Sequence, residues 1–297
     1  MENRFKTEEE IYLLSEHVHP LDKGFELFRL NYRQNDWAEA DRVADHILNM
    51  AERSYNSRQK WGDVAPLNQM LKHPLIFYFG YGYLAKSIVF QKQGLFDRAR
   101  EYIAQYADLG WYEHATDEDI QEIERFKGLA VANGYAVDLL SGNKEILKEY
   151  NEFLQENDEE TLPGLITIFE AANINEWNID EYYSYIPDRL ETFSSFEDLG
   201  NRVYYVKLLH QLAIYNINQQ RYGVAINDIL NYLQTAVTMD LYREFITTIA
   251  MFETVRPFAT TKQLTKYQNI LQGVYSHEKN ISSYIYADDI CSFQSRC

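Results

Sequence analysis

The chain has 297 residues, 46% of them hydrophobic, enough for one long repeat array or two ordinary domains around a sizeable core. Its 6 prolines and 13 glycines are too few for the frequent turns of an all-β chain, and 24 tyrosines dominate an aromatic content of 15%. The formal net charge of -17 repels phosphate backbones and anionic membranes, which argues against direct nucleic-acid or membrane binding, and it would attract a basic peptide or basic protein face.

From the N-terminus, Met1 to Glu10 is charged and lacks the apolar core of a signal peptide. Helices are expected over 8–18, 22–34 and 37–53, then 64–92 with a break near Pro74, followed by 96–107 and 117–140. Further helices are expected over 144–156, 163–176, 178–192, 195–219, 222–238, 241–255 and 261–275, with Gln155 to Glu160 as an acidic loop. No run of 18 apolar residues exists to cross a membrane. Both cysteines, Cys291 and Cys297, lie near the C-terminus, which fits a reducing cytoplasm and provides no disulfide framework. A single repeat domain over 1–276 and a poorly patterned tail over 277–297 are therefore expected.

The physical basis is helical periodicity. Tyr205, Leu208, Leu209, Leu212 and Ala213 form one stripe; Tyr222, Ala225, Ile226, Ile229, Leu230 and Leu233 form the next. Leu241, Phe245, Thr248, Phe252 and Val255 repeat the pattern. Pro20, Pro66, Pro74, Pro163, Pro187 and Pro257 all fall at expected helix boundaries, as they should when an interior proline costs about 3 kcal/mol. Thr7 with Glu10, Ser194 with Glu197 and Thr260 with Gln263 have capping-box spacing, and Thr116 with Asp119 is a looser form.

A local pattern recurs as Asn35-Asp36-Trp37-Ala38-Glu39-Ala40, Gly94-Leu95-Phe96-Asp97-Arg98-Ala99 and Gln220-Arg221-Tyr222-Gly223-Val224-Ala225. Each is a turn, an aromatic to wedge two helices apart, two variable residues and an alanine that lets helix axes approach. Twelve residues before Ala99 and Ala225 stand the small residues Ser87 and Ala213, whereas the first copy has Phe28 there. A fourth candidate, Gly142 to Leu147, replaces the alanine with Leu147.

These residues resemble the tetratricopeptide repeat, in degenerate copies. The resemblance implies an all-α fold, a right-handed superhelix of antiparallel helix pairs whose first helices line a concave face. The stretches Tyr106-Ala107-Asp108-Leu109-Gly110-Trp111-Tyr112 and Leu162-Pro163-Gly164-Leu165-Ile166-Thr167-Ile168-Phe169-Glu170-Ala171-Ala172-Asn173 look like the C-terminal regions of regulators from Bacillus-like bacteria. Those regulators join a helix-turn-helix DNA-binding domain to a helical repeat domain, an architecture similar to the peptide-sensing quorum regulators of the Rap, NprR and PlcR type. The resemblance runs from roughly residue 20 to residue 275. No basic helix-turn-helix unit precedes the repeats. The chain is then either a sensor domain from a longer regulator or a stand-alone member acting by protein contact.

Catalytic and metal signatures are wanting. His17 and His19 point about 200° apart on a helix and have no cluster of further ligands, so no metal site is expected. Asp288 and Asp289 read as a solvated pair, and Cys291 with Cys297 as tail thiols. Phe79-Gly80-Tyr81-Gly82 has the wrong continuation for a phosphate loop, and its glycines read as sites of close helix packing. No cofactor and no enzymatic activity are expected.

Binding has the better physical basis. By repeat phase, Arg29, Tyr32, Tyr81, Gln91, Lys92, Asn133, Asn173, His210 and Asn218 fall on the inner helices as ligand-binding candidates. Carboxamides such as Asn133 can clamp a peptide backbone, and Arg29 can hold a peptide carboxylate. The expected function is a regulatory sensor that takes a short peptide or protein segment in a concave groove, changing dimerisation or the presentation of an attached DNA-binding domain. Two alternatives stand beside it, an interaction adaptor without a small ligand and an enzyme with an unfamiliar site.

Overall fold

A computed structural model describes residues 18–61, 71–183, 186–239 and 242–276. Among the described residues every regular element is a helix, and the chain divides into two units, Met1–Ile146 and Leu147–Cys297. The expected helix 8–18, Thr7 with Glu10, His17, Pro66, Leu241, the Asp288–Asp289 pair and both cysteines lie outside the described residues or have undescribed side chains.

The first unit contains α1 (Pro20–Gln34), α2 (Trp37–Trp61), α3 (Leu75–Lys92), α4 (Phe96–Ala107) and α5 (Asp117–Leu140), followed by a 3-10 turn, Lys144–Ile146. Each helix packs on the next, and α3 also packs on α1 and α5. This central place explains why α3 shows no single apolar stripe: its residues are buried on several sides, from Leu75, Phe77 and Phe79 to Ala85, Val89 and Phe90. Gly80 and Gly82 make those approaches close. A Cβ on Gly80 would lie 2.3 Å from Phe126 of α5, and one on Gly82 2.7 Å from Leu48 of α2.

Polar groups fix the register of these helices. The Tyr78 hydroxyl donates to buried Asp22 of α1, which also accepts from the Lys72 backbone at 3.4 Å. Lys86 is buried with its ammonium 2.6 Å from Asp41 and 2.9 Å from Asp45, above the rings of Phe90 and Tyr102. Burial works to lower the Lys86 pKa, but hydrogen bonds and charge from the two aspartates outweigh it and hold it above the ordinary lysine value.

The second unit contains α6 (Leu147–Glu156), α7 (Asp158–Asn175), α8 (Asp180–Tyr183), α9 (Ile186–Ser194), α10 (Leu199–Asn218), α11 (Tyr222–Thr238) and α12 (Tyr242–Val255). A 3-10 turn, Arg256–Phe258, leads to α13 over 261–276. The helix α10 packs on both α7 and α11, and α11 packs on α12. The Tyr215 hydroxyl donates to Asp180 at 2.8 Å and accepts from the Ile179 amide at 2.9 Å, tying the start of α8 to α10.

The repeat signature has the structural consequences its chemistry requires. Asn35, Gly94 and Gln220 take left-handed φ of 57°, 73° and 59°, reversing the chain between helices. Ala40, Ala99 and Ala225 are buried, as are Phe28, Ser87 and Ala213 on the preceding helices. At the fourth copy Gly142 also has positive φ, but the 3-10 turn follows and buried Leu147 begins α6, so the expected helix 144–156 is split.

Thr116 and Asp119 form a complete capping box, and Thr260 accepts from the Gln263 amide while Gln263 accepts from the Thr260 amide. Four expectations need correction. The cap of α10 is Asp198, whose carboxylate accepts from the Asn201 amide at 2.8 Å, whereas Ser194 ends α9 and its hydroxyl returns to the Glu191 carbonyl. Gln155 to Glu160 is not a loop: only Asn157 separates α6 from α7, and Asp158, Glu159 and Glu160 occupy the first turn of α7, where the helix dipole favours negative charge. Pro163 consequently lies inside α7 as its sixth residue, past the first turn, where it forfeits the backbone bond to the Glu159 carbonyl. The expected helix 178–192 is two helices, α8 and α9.

Candidate functional site

In the first unit, α1, α3 and α5 present a hollow of about 540 Å³ lined by Phe25, His73, Phe77, Tyr81, Leu84, Glu122, Arg125 and Phe126. Its floor follows from spacing. Phe77 and Tyr81 are one turn apart on α3, so their rings stack at 5.7 Å and 13°. Phe25 of α1 meets Tyr81 at 4.5 Å and Phe77 at 5.5 Å. His73, just before α3, stacks on Phe77 at 4.1 Å, and Phe126 of α5 closes the row 6.0 Å from Phe77. Burial pushes the Tyr81 phenol up, with Arg29 opposing and Glu26 reinforcing the shift, so its hydroxyl stays protonated at neutral pH.

Two arginines mark the ends of this row. Arg29 on α1 lies 5.6 Å above Phe25, with Nη1 3.1 Å from Glu26. Arg125 on α5 lies 4.9 Å above Phe126 and 5.5 Å above Phe77, with Nε donating to Glu122 at 2.8 Å. The arginines are the exposed members of these pairs: Arg29 and Arg125 are 57% and 50% exposed, Glu26 and Glu122 only 21% and 20%. Such a surface can seat an apolar side chain on the rings and pair a polar group with a guanidinium.

Of the residues expected from sequence, Tyr81 lines the hollow, and Arg29, outside its lining, lies 5.6 Å from the ring of Phe25, which does line it. Tyr32 packs between Phe28 and Trp37, wedging α1 against α2. The Asn133 carboxamide donates at 2.9 Å to Tyr106, so its donor is engaged within the protein. Gln91 is half-buried near the C-terminus of α3, and exposed Lys92 ends that helix. In the second unit Asn173 donates to the Gln211 carbonyl and side chain, both at 2.9 Å, and His210 lies 5.8 Å from Tyr232. Asn173 Oδ1 and His210 Nδ1 are buried without a hydrogen-bond partner, and Asn218 is exposed at the end of α10.

Of the hollow's lining residues, repeat phase therefore points to Tyr81 and not to Phe25, His73, Phe77, Leu84, Glu122, Arg125 and Phe126. The available signal was spacing: Phe25 is one turn before Arg29, Phe77 one turn before Tyr81, and Arg125 two turns before Asn133. Spacing alone does not single them out, because an aromatic or an Arg–Glu pair at helical spacing reads equally well as core or solvated surface. Among the described residues no three His, Cys, Asp or Glu converge to hold a metal, and no helix is long and apolar enough to cross a membrane. Comparison of the chain with family models, curated proteins and solved structures gives no match.

Proposed function

We propose that the chain is a ligand-sensing binding module that takes a short peptide or protein segment in the hollow of α1, α3 and α5. The row of rings supports this most directly: Phe25, Phe77, Tyr81 and Phe126 leave a hollow of about 540 Å³ on the repeat-phase inner helices, where Tyr81 and Arg29 were expected to bind. Seating the segment would shift a right-handed superhelix of helix pairs between shapes. It would thereby control a transcriptional regulator, as the resemblance to peptide-sensing regulators implies. A helix-turn-helix domain elsewhere in a longer protein, or a homodimer, would carry that readout.

The test is affinity selection of pooled random hexapeptides on the chain and on Tyr81→Ala, with recovered peptides measured by calorimetry. Selected peptides are expected to lose about tenfold or more in affinity on Tyr81→Ala, since a buried aromatic contact contributes on the order of 1–2 kcal/mol. Equal recovery on both proteins would remove the hollow from consideration. A second reading, an adaptor for a folded partner, is favoured by an exposed apolar patch on the second unit. There Phe258, 55% exposed, stacks at 4.0 Å on Tyr222.

A further inference from the structure

The reading of the hollow as a peptide site leaves its occupant's chemistry open, and the inference here rests on that reading. The rings of the hollow and the arginine that lines it are adjacent. The Arg125 guanidinium carbon is 4.9 Å from the Phe126 centroid and 5.5 Å from that of Phe77, while Phe77 stacks on Tyr81 and packs edge-on to Phe25. Arg125 directs Nε and Nη2 to one oxygen of Glu122, at 2.8 and 2.6 Å, which leaves the Nη1 hydrogens for a second acceptor. Arg29 repeats the arrangement with Glu26 at the Phe25 end.

We infer that the occupant is a peptide whose last residue seats a large apolar side chain on Phe25, Phe77 and Tyr81 and pairs its free C-terminal carboxylate with Arg125. A basic occupant suits the net charge of -17 but not this spot. Charges beyond about 8 Å are largely screened at physiological salt, so the local pairs decide, and there the guanidiniums rather than the carboxylates are presented. An internal Asp or Glu fits less well than a chain terminus. In an extended peptide the residue next to the apolar anchor points to the opposite face, whereas the terminal carboxylate belongs to the anchor residue itself. It therefore stays within one residue's reach of the rings, the separation at which Arg125 stands.

The experiment uses random pentapeptides ending in Phe or Leu, made as free acids and as C-terminal amides, against the full chain, Arg125→Gln, Arg125→Lys and Arg29→Gln. Free acids are expected to bind about tenfold more tightly than amides. Arg125→Gln should abolish that preference, Arg125→Lys should retain part of it, and Arg29→Gln should reduce it less. The preference should also shrink as salt is raised. Equal binding of acids and amides to the unmodified chain would overturn this inference while leaving the hollow a peptide site. So would a preference that survives Arg125→Gln. Failure of both pools to bind would overturn both readings.

Discussion

Asp228 illustrates what a single residue contributes. It sits on α11, buried, with its carboxylate accepting from Asn216 of α10 at 2.8 Å. Burial raises its pKa to about 7, and the Asn216 bond opposes this only in part. The folded chain therefore holds this proton more firmly than the unfolded chain, so its contribution is most favourable below about pH 4 and declines as pH rises toward 7. Burial lowers the pKa of His210, whose contribution is intact above about pH 6.5 and is lost on acidification. His19 acts in the same sense as His210: burial lowers its pKa against the charge of Asp22, and its Nδ1 accepts from the Leu21 amide as the cap of α1. Asp228→Asn is expected to stabilise the chain at pH 8 by about 1–3 kcal/mol and to leave a variant that weakens only below about pH 6.5. Thermal unfolding of both proteins from pH 5 to pH 8 checks this; parallel profiles would show that Asp228 is ordinarily ionised. Nothing in the sequence distinguishes Asp228 from a solvated aspartate, because its burial depends on how α10 meets α11.

At the scale of elements, boundaries were legible wherever local chemistry sets them. Asp117–Leu140 begins at the Thr116 cap, and Phe96–Ala107 and Tyr222–Thr238 begin just after the left-handed turns at Gly94 and Gln220. Boundaries failed where two local signals compete, as at Ser194 against Asp198, or where acidic residues resemble a loop but serve a helix start, as at Asp158 to Glu160. The central helix α3 depends on its glycines. Gly80→Ala would drive a methyl into the Phe126 ring, since even an ideal Cβ lies 2.3 Å from it. The expected cost is about 1–3 kcal/mol by overpacking, despite the better helix propensity of alanine. Chemical denaturation measures it, and a neutral or stabilising result would mean that α3 and α5 do not approach this closely. Since Phe126 also lines the hollow, its displacement should weaken peptide binding as well.

For the molecule as a whole, charge is the property that needs no coordinates. With 45 acidic against 28 basic residues, this chain is expected not to retard random duplex DNA at about 100 mM salt, even at micromolar concentration. An electrophoretic shift assay checks this, and a salt-sensitive shift would reveal a basic surface within an acidic chain. The sequence by itself determined the all-helical class, most helix limits and the left-handed turns at Asn35 and Gly94, because periodicity, caps and turn residues act within a few positions of one another. Only the tertiary structure decided that Phe25, Phe77, Tyr81, Arg125 and Phe126 share one hollow, and that Lys86, Asp22 and Asp228 are buried. The helices that carry these groups are tens of residues apart in the chain, and which face of each meets which neighbour is fixed by packing between helices, which no local pattern encodes.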